Sequence, residues 1–140
     1  MKPKDIVRLA NRIRDEWGSN PFDIARRLGI VVFDEWESNV PGFTAQTMKL
    51  GTLPSVISIN KNYPPFAKEL LCAHELGHAL LHESALLNYF NDDNTITEAE
   101  ANLFALALIG GRELEDEVII PLEKMDGPTL KAIMDLNIYK

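Results

Sequence analysis

The sequence has little cysteine, few basic residues and no long apolar run, and each shortage excludes a class of protein. Its single cysteine, Cys72, cannot form an internal disulfide, and thiols stay reduced in the cytosol, so a cytoplasmic protein is expected. The 14 Lys and Arg stand against 21 Asp and Glu, for a net charge of −7. Because clustered positive charge provides most phosphate affinity, direct binding of nucleic acid is not expected, even through the basic N-terminal helices.

No uncharged apolar stretch is long enough to span a bilayer. The first residues lead into a charged amphipathic segment rather than the apolar core of a signal peptide. We therefore expect no membrane partner.

The remaining composition is that of a globular domain. The chain has 140 residues, of which 46% are hydrophobic and 25% charged, enough for one domain with its own core. We expect a single domain over residues 1–140, with a motif-bearing part at about 5–110 and an acidic helical tail at 112–140.

Hydrophobic periodicity and turn residues predict an α+β fold. A short antiparallel sheet should pack on the helices, and residues 86–94, rich in Asn and Asp, should form a loop. Helices are predicted at 4–17, 21–28, about 64–84, 95–109 (ending at Gly110-Gly111) and from 128, and strands at 30–33, 43–47 and 54–60.

The most informative motif is His74-Glu75-Leu76-Gly77-His78 within the third predicted helix. Two histidines four residues apart share one helix face, so both imidazoles can reach one metal ion. Glu75 faces the same open side, where it can take a proton from water. This is the H-E-x-x-H pattern of zinc hydrolases. Gly77 faces away from the metal, where it permits close helix packing, although glycine costs about 1 kcal/mol of helix propensity.

A hydrolytic zinc site needs a third protein ligand and keeps a fourth position for water. His82 continues the histidine row, but successive steps of four residues drift by about 40° each, so it fits a tetrahedral site badly. We interpret it as supporting a ligand or facing substrate; a partly buried helix-end histidine is the alternative. Glu98 and Glu100 are the better candidates, although each also matches a capping box. Spacing favours Glu98, because Asn102 lies one turn later and could hold a ligand's second ring nitrogen.

The stretch from His74 to His82, followed by Glu98-Ala-Glu-Ala-Asn102-Leu-Phe-Ala105, resembles the ImmA/IrrE family of metallopeptidases. The segments Asn20 to Ile30 and Ile57 to Asn60 are similar to that family too. The resemblance implies a small, gluzincin-like zincin domain with one zinc ion per chain, held by His74, His78 and Glu98, with Glu75 as the catalytic glutamate. Leu108-Ile109-Gly110-Gly111-Arg112 departs from the family's usual Leu-Leu-Met-Pro.

The resemblance also implies a cytoplasmic, phage or mobile-element endopeptidase that acts on a protein or peptide substrate such as a transcriptional repressor. A zinc-stabilised antirepressor that binds without proteolysis is the alternative. We expect the strand residues Ile57, Ser58, Ile59 and Asn60 to be a sheet edge on which an extended peptide adds, or else an ordinary edge strand. His82, Tyr63 and Tyr89 are candidates for stabilising the oxyanion.

Overall fold

The computed structural model describes residues 2–37, 44–49, 55–82, 87–89, 95–113 and 121–139. Within these ranges the chain forms five α-helices, four strands and one 3-10 turn at Leu122–Lys124. In chain order they are α1 (Pro3–Trp17), α2 (Pro21–Arg27), β1 (Val31–Trp36), β2 (Ala45–Met48), β3 (Val56–Asn60), α3 (Pro65–Leu81), β4 (Leu87–Tyr89), α4 (Thr95–Glu113) and α5 (Gly127–Ile138). The predicted α+β class is confirmed.

The two N-terminal helices form where the sequence predicts them. α1 buries Ile6, Ala10 and Ile13, which share one face because they are spaced by a helical turn or two. The Asn20 side chain caps α2 by accepting hydrogen bonds from the backbone N–H groups of Phe22 and Asp23. The chain leaves α2 through Gly29, whose φ of +76° lies in the left-handed region that glycine tolerates.

The sheet is mixed, which corrects the expectation of a purely antiparallel one. Its strand order is β1-β3-β2-β4. β2 runs antiparallel to β3 and to β4, whereas β1 is parallel to β3. The reason is topological: β3 lies between β1 and β2, and the two chain reversals from β1 to β2 to β3 return β3 to the direction of β1.

The prediction that Ile57, Ser58, Ile59 and Asn60 form a sheet edge was wrong. They do form a strand, but β3 is an interior strand with β1 on one side and β2 on the other. Ser58, for example, pairs with Phe33 of β1 and with Gln46 of β2. In the part of the sheet that the structure describes, the outer strands are β1 and β4.

Three predicted boundaries also change. Residues 87–89, expected in a loop, form β4, because β2 offers them a pairing partner. α4 continues through Gly110 and Gly111 to Glu113; Gly110 is buried, and packing at that position outweighs glycine's low helix propensity. α3 ends at Leu81; Ser84, its predicted end, and Phe43, the predicted start of β2, lie outside the described residues.

α3 is the central helix of the core. Leu70, Leu71, Cys72 and Leu76 on it are fully buried. Burial raises the pKa of the Cys72 thiol. The helix packs against the sheet, α4 and α5, and α5 adds Leu130, Met134 and Ile138 to the same core. The division of the chain into a motif-bearing part and an acidic tail stays a prediction.

Gly77 is where α3 and α4 approach most tightly. A Cβ at this position would lie 3.2 Å from Ala101 Cα, and 3.3 Å from both Ala101 O and Phe104 Cβ. The glycine therefore lets α4 lie directly against the metal-motif helix. In addition, the Arg14 guanidinium of α1 donates a 2.6 Å hydrogen bond to the Ala107 carbonyl, which ties α4 to the N-terminal helix.

Among the helices in the described ranges, none combines the length and the apolar character needed to cross a membrane.

Candidate metal centre

The two histidines of the motif meet at one point in the interior. His74 and His78 are fully buried on α3, and their Nε2 atoms lie 3.2 Å apart. This closeness follows from the helix, because residues four apart stack on one face. The rings meet edge to face, with an interplanar angle of 85°, so the two Nε2 atoms converge.

Glu98 reaches the same point from the first turn of α4. Its Oε1 lies 2.9 Å from His78 Nε2, and its Oε2 lies 3.2 Å from His74 Nε2. Burial alone would raise the pKa of Glu98, but hydrogen bonds from His74 and His78 hold it below its ordinary value. Of the two glutamates that the sequence left open, Glu98 is the one that the fold brings to both histidines.

The chemistry of this cluster fits a metal ion. His74, His78 and Glu98 each present a ligand atom, and these atoms lie within 4.8 Å of one another. Tetrahedral zinc with bonds of about 2.0–2.2 Å would separate its ligand atoms by about 3.3–3.6 Å. The two Nε2 atoms lie 3.2 Å apart, and each lies 2.9–3.2 Å from one of the two carboxylate oxygens of Glu98. Two imidazole nitrogens and a carboxylate are also the donor types that such sites use.

Glu75 lies beside this cluster and is fully buried. Its Oε2 is 3.7 Å from His74 Nε2 and has no hydrogen-bond partner in the described part of the chain. Burial raises the pKa of Glu75 to about 8, while His78 and a hydrogen bond from Thr47 act in the opposite direction. One carboxylate oxygen is therefore free to meet a small polar molecule at the cluster.

Thr47 holds the other oxygen of Glu75, and the sequence did not identify it. Its Oγ1 lies 2.9 Å from Glu75 Oε1 and 3.0 Å from the Glu75 carbonyl oxygen. A hydroxyl has one proton, and an ionised Glu75 is the stronger acceptor, so Thr47 donates to Oε1 in that state. β2 is a short strand, and nothing in its sequence distinguishes Thr47 from a threonine that fills the core.

His82 and Glu100 form a second layer next to the histidines. His82 Nδ1 lies 2.9 Å from His78 Nδ1, and His82 Nε2 lies 3.1 Å from Glu100 Oε1. Burial lowers the pKa of His82. The fold thus brings His82 to His78, as the sequence suggested for a supporting residue, and gives Glu100 to His82 rather than to the cluster.

The remaining candidates are less closely tied to the cluster. Asn102 is buried on α4, but its Oδ1 has no hydrogen-bond partner among the described residues, so its role in holding a ligand stays a prediction. Tyr63 packs edge to face on Tyr139, and burial raises its pKa to about 12. The Tyr89 side chain lies outside the described part.

Comparison with known proteins agrees with this geometry. Residues 25–119 match the model of the IrrE N-terminal-like domain, Peptidase M78. A protein of Bacillus phage phi105, "Uncharacterized immunity region protein 2", is 32% identical over 97 residues. That match covers 65% of this chain and 58% of the relative, so the chain spans less than two thirds of the relative's length. The matched family region includes the whole cluster described above.

Proposed function

The chain belongs to the IrrE N-terminal-like (Peptidase M78) family, and on that premise we propose that it is a zinc-dependent endopeptidase. The observation that carries the proposal is the convergence of His74, His78 and Glu98 beside the free oxygen of Glu75. In the proposal, His74, His78 and Glu98 hold one zinc ion per chain. When bound, zinc supplies Lewis-acid activation of a water molecule and of the scissile carbonyl.

The side chains of this site then divide the work of peptide hydrolysis. Glu75 Oε2 takes a proton from the attacking water and passes it to the leaving amine. Thr47 fixes the opposite oxygen of Glu75, so the carboxylate is oriented before substrate arrives. The buried surroundings of Glu75 favour this role, because they exclude bulk water that would compete for the proton on its way to the leaving amine.

The substrate segment in this proposal lies along the outer edge of β4 rather than β3. β4 is at the end of the described strand order, next to the strand that carries Thr47, and an extended peptide can add to such an edge. Substrate bound to a Glu75→Gln variant should slow amide hydrogen exchange at residues 87–89. Unchanged exchange at those amides would reject this part of the proposal.

The biological substrate that we propose is a specific protein such as a phage or mobile-element transcriptional repressor. Its support is the phage relative that is named for an immunity region. We also propose a cytoplasmic location, which suits a chain whose single thiol is buried and unpaired.

Glu75→Gln tests the hydrolytic step, because the amide keeps the size of the side chain but accepts no proton. Zinc-loaded wild type and Glu75→Gln would each be incubated with an extract of phage-bearing bacterial cells, and new protein N-termini would be identified by amine labelling and mass spectrometry. We expect equal zinc content in the two proteins and new N-termini from wild type alone. Identical N-termini from both would reject the peptidase proposal and favour the antirepressor that binds without cleavage.

A further inference from the structure

His82 is held in place from four directions although it lies just beyond the end of α3. Its backbone N–H donates to the His78 carbonyl at 3.0 Å, and its own carbonyl accepts a 2.8 Å bond from Lys49 Nζ. Its two ring nitrogens contact His78 and Glu100. Backbone angles of φ −123° and ψ 72° take it out of the helix. In a continuing helix the His82 side chain would be rotated by about 40° from that of His78; the non-helical backbone of His82 removes this constraint.

The ring contacts form a chain from the cluster to α4. His78 Nδ1 meets His82 Nδ1 at 2.9 Å, and His82 Nε2 meets Glu100 Oε1 at 3.1 Å. Glu100 is two residues after Glu98 on the same helix. α4 therefore contacts His78 twice, directly through Glu98 and indirectly through Glu100 and His82.

The proton positions along this chain follow from the role of His78. His78 Nε2 is the atom that faces Glu98 and His74, so a metal ligand there needs its lone pair on Nε2. A neutral imidazole then carries its proton on Nδ1, which must donate to His82 Nδ1. His82 in turn carries its proton on Nε2 and donates it to the Glu100 carboxylate. Every contact in the chain then has one donor and one acceptor.

We propose that His82 and Glu100 are positioning residues that fix the tautomer and the ring orientation of His78 for metal binding. The inference rests on the proposed metal site and goes beyond it, because neither residue belongs to the proposed ligand set of His74, His78 and Glu98. Ligand histidines commonly donate their second ring nitrogen to a carboxylate; in this chain a second histidine is inserted between the ligand and the carboxylate.

Zinc affinity, measured by competition with a chelator of known affinity, tests the proposal without any substrate. His82→Ala should weaken binding by about 10- to 100-fold, the usual effect of removing such a partner. His82→Asn should recover most of the loss, because its Oδ1 can accept from His78 Nδ1–H. Glu100→Ala should also weaken zinc binding. Glu100→Gln should weaken it less, because its amide oxygen can still accept a hydrogen bond from His82. The matched control is Glu16→Gln, a neutralised carboxylate on the exposed face of α1, which should bind zinc like wild type.

Imidazole tautomers, read from long-range proton–nitrogen NMR correlations of the zinc-loaded protein, supply a second readout that a merely structural residue would not move. We expect the Nδ1–H form of His78 and the Nε2–H form of His82. If wild type binds no zinc, the proposed function fails and the inference fails with it. If wild type binds zinc, but folded His82→Ala binds it equally well or His82 carries its proton on Nδ1, the inference alone is overturned.

Discussion

Replacing Gly77 with alanine tests whether the contact between α3 and α4 is as close as the structure shows. The new Cβ would lie 3.2 Å from Ala101 Cα and 3.3 Å from Ala101 O, whereas carbon atoms in favourable contact are about 3.5–4.0 Å apart. Both neighbours belong to the backbone of α4 and cannot rotate away. We therefore expect α4 to move outward by about 0.3 Å, the difference between the observed and the favourable distance.

Two opposing effects set the size of the change in stability. Overpacking of this kind costs about 1–3 kcal/mol, and replacing a helical glycine with alanine gains about 1 kcal/mol. The net expectation for Gly77→Ala is a loss of about 0 to 2 kcal/mol in the free energy of unfolding. Zinc affinity should fall as well, because Ala101 is one turn after Glu98 and the displaced helix carries that carboxylate away from the histidines.

Urea unfolding in the presence of a chelator measures the first effect, and chelator competition measures the second. Gly127→Ala, on α5, is the matched control. Its Cβ would lie 3.4 Å from Ala99 Cβ of α4, which is an ordinary contact, so the free energy of unfolding and the zinc affinity should be unchanged. If Gly77→Ala were more stable than wild type by the full 1 kcal/mol or so of helix propensity, with zinc affinity unchanged, the close approach would be refuted.

Three further predictions concern the base, the metal and a helix cap. Thr47→Val should keep zinc binding but slow hydrolysis by about ten- to a hundredfold, since a hydrogen bond to a charged group contributes about 1.5–3 kcal/mol; Thr47→Ser should retain activity, and equal rates in Thr47→Val would remove Thr47 from the mechanism. Zinc at a hundred times its Kd should raise the free energy of unfolding by about 2.7 kcal/mol and chelation should reverse this, whereas Glu98→Ala should show neither effect in a thermal melt. A hydrogen bond from Thr129 lowers the pKa of Asp126, so the cap stabilises α5 above the unfolded pKa and is lost as pH falls through the lower folded pKa. Asp126→Ala should therefore have a lower urea midpoint than wild type at pH 7, and the difference should vanish in strong acid; Asp126→Asn should cap α5 without this pH dependence, and a constant difference for Asp126→Ala would contradict the assignment.

The parts of the site that the sequence predicts are those set by local geometry. The spacing of His74 and His78 on a helix is enough to bring their rings together, and the glycine between them is explained by the neighbouring helix. The choice of Glu98 over Glu100 was harder, because both begin the same helix. The direction in which α4 crosses α3 decides which of the two carboxylates reaches the histidines, and the sequence of α4 alone does not reveal that direction.

The errors come from pairings between distant segments. The residues of β3 alternate as a half-buried strand would, and that pattern does not show that β1 occupies its second side. The Asn-rich segment at 86–94 gave no strand signal, because residues 87–89 become a strand only by pairing with β2. Thr47 was missed for a similar reason: its partner Glu75 is 28 residues away, and only the sheet's position against α3 brings them together.

The burial of Cys72 makes its thiol a probe of how often α3 opens in the folded protein. The thiol is the single one in the sequence, is fully enclosed, and lies on α3 two residues before His74. A thiol-specific dye can react there only during moments when this helix opens, so the labelling rate reports the free energy of that opening under native conditions. A ligand that binds only the closed form slows the reaction in proportion to its occupancy, which would let occupancy of the neighbouring cluster be followed without a substrate.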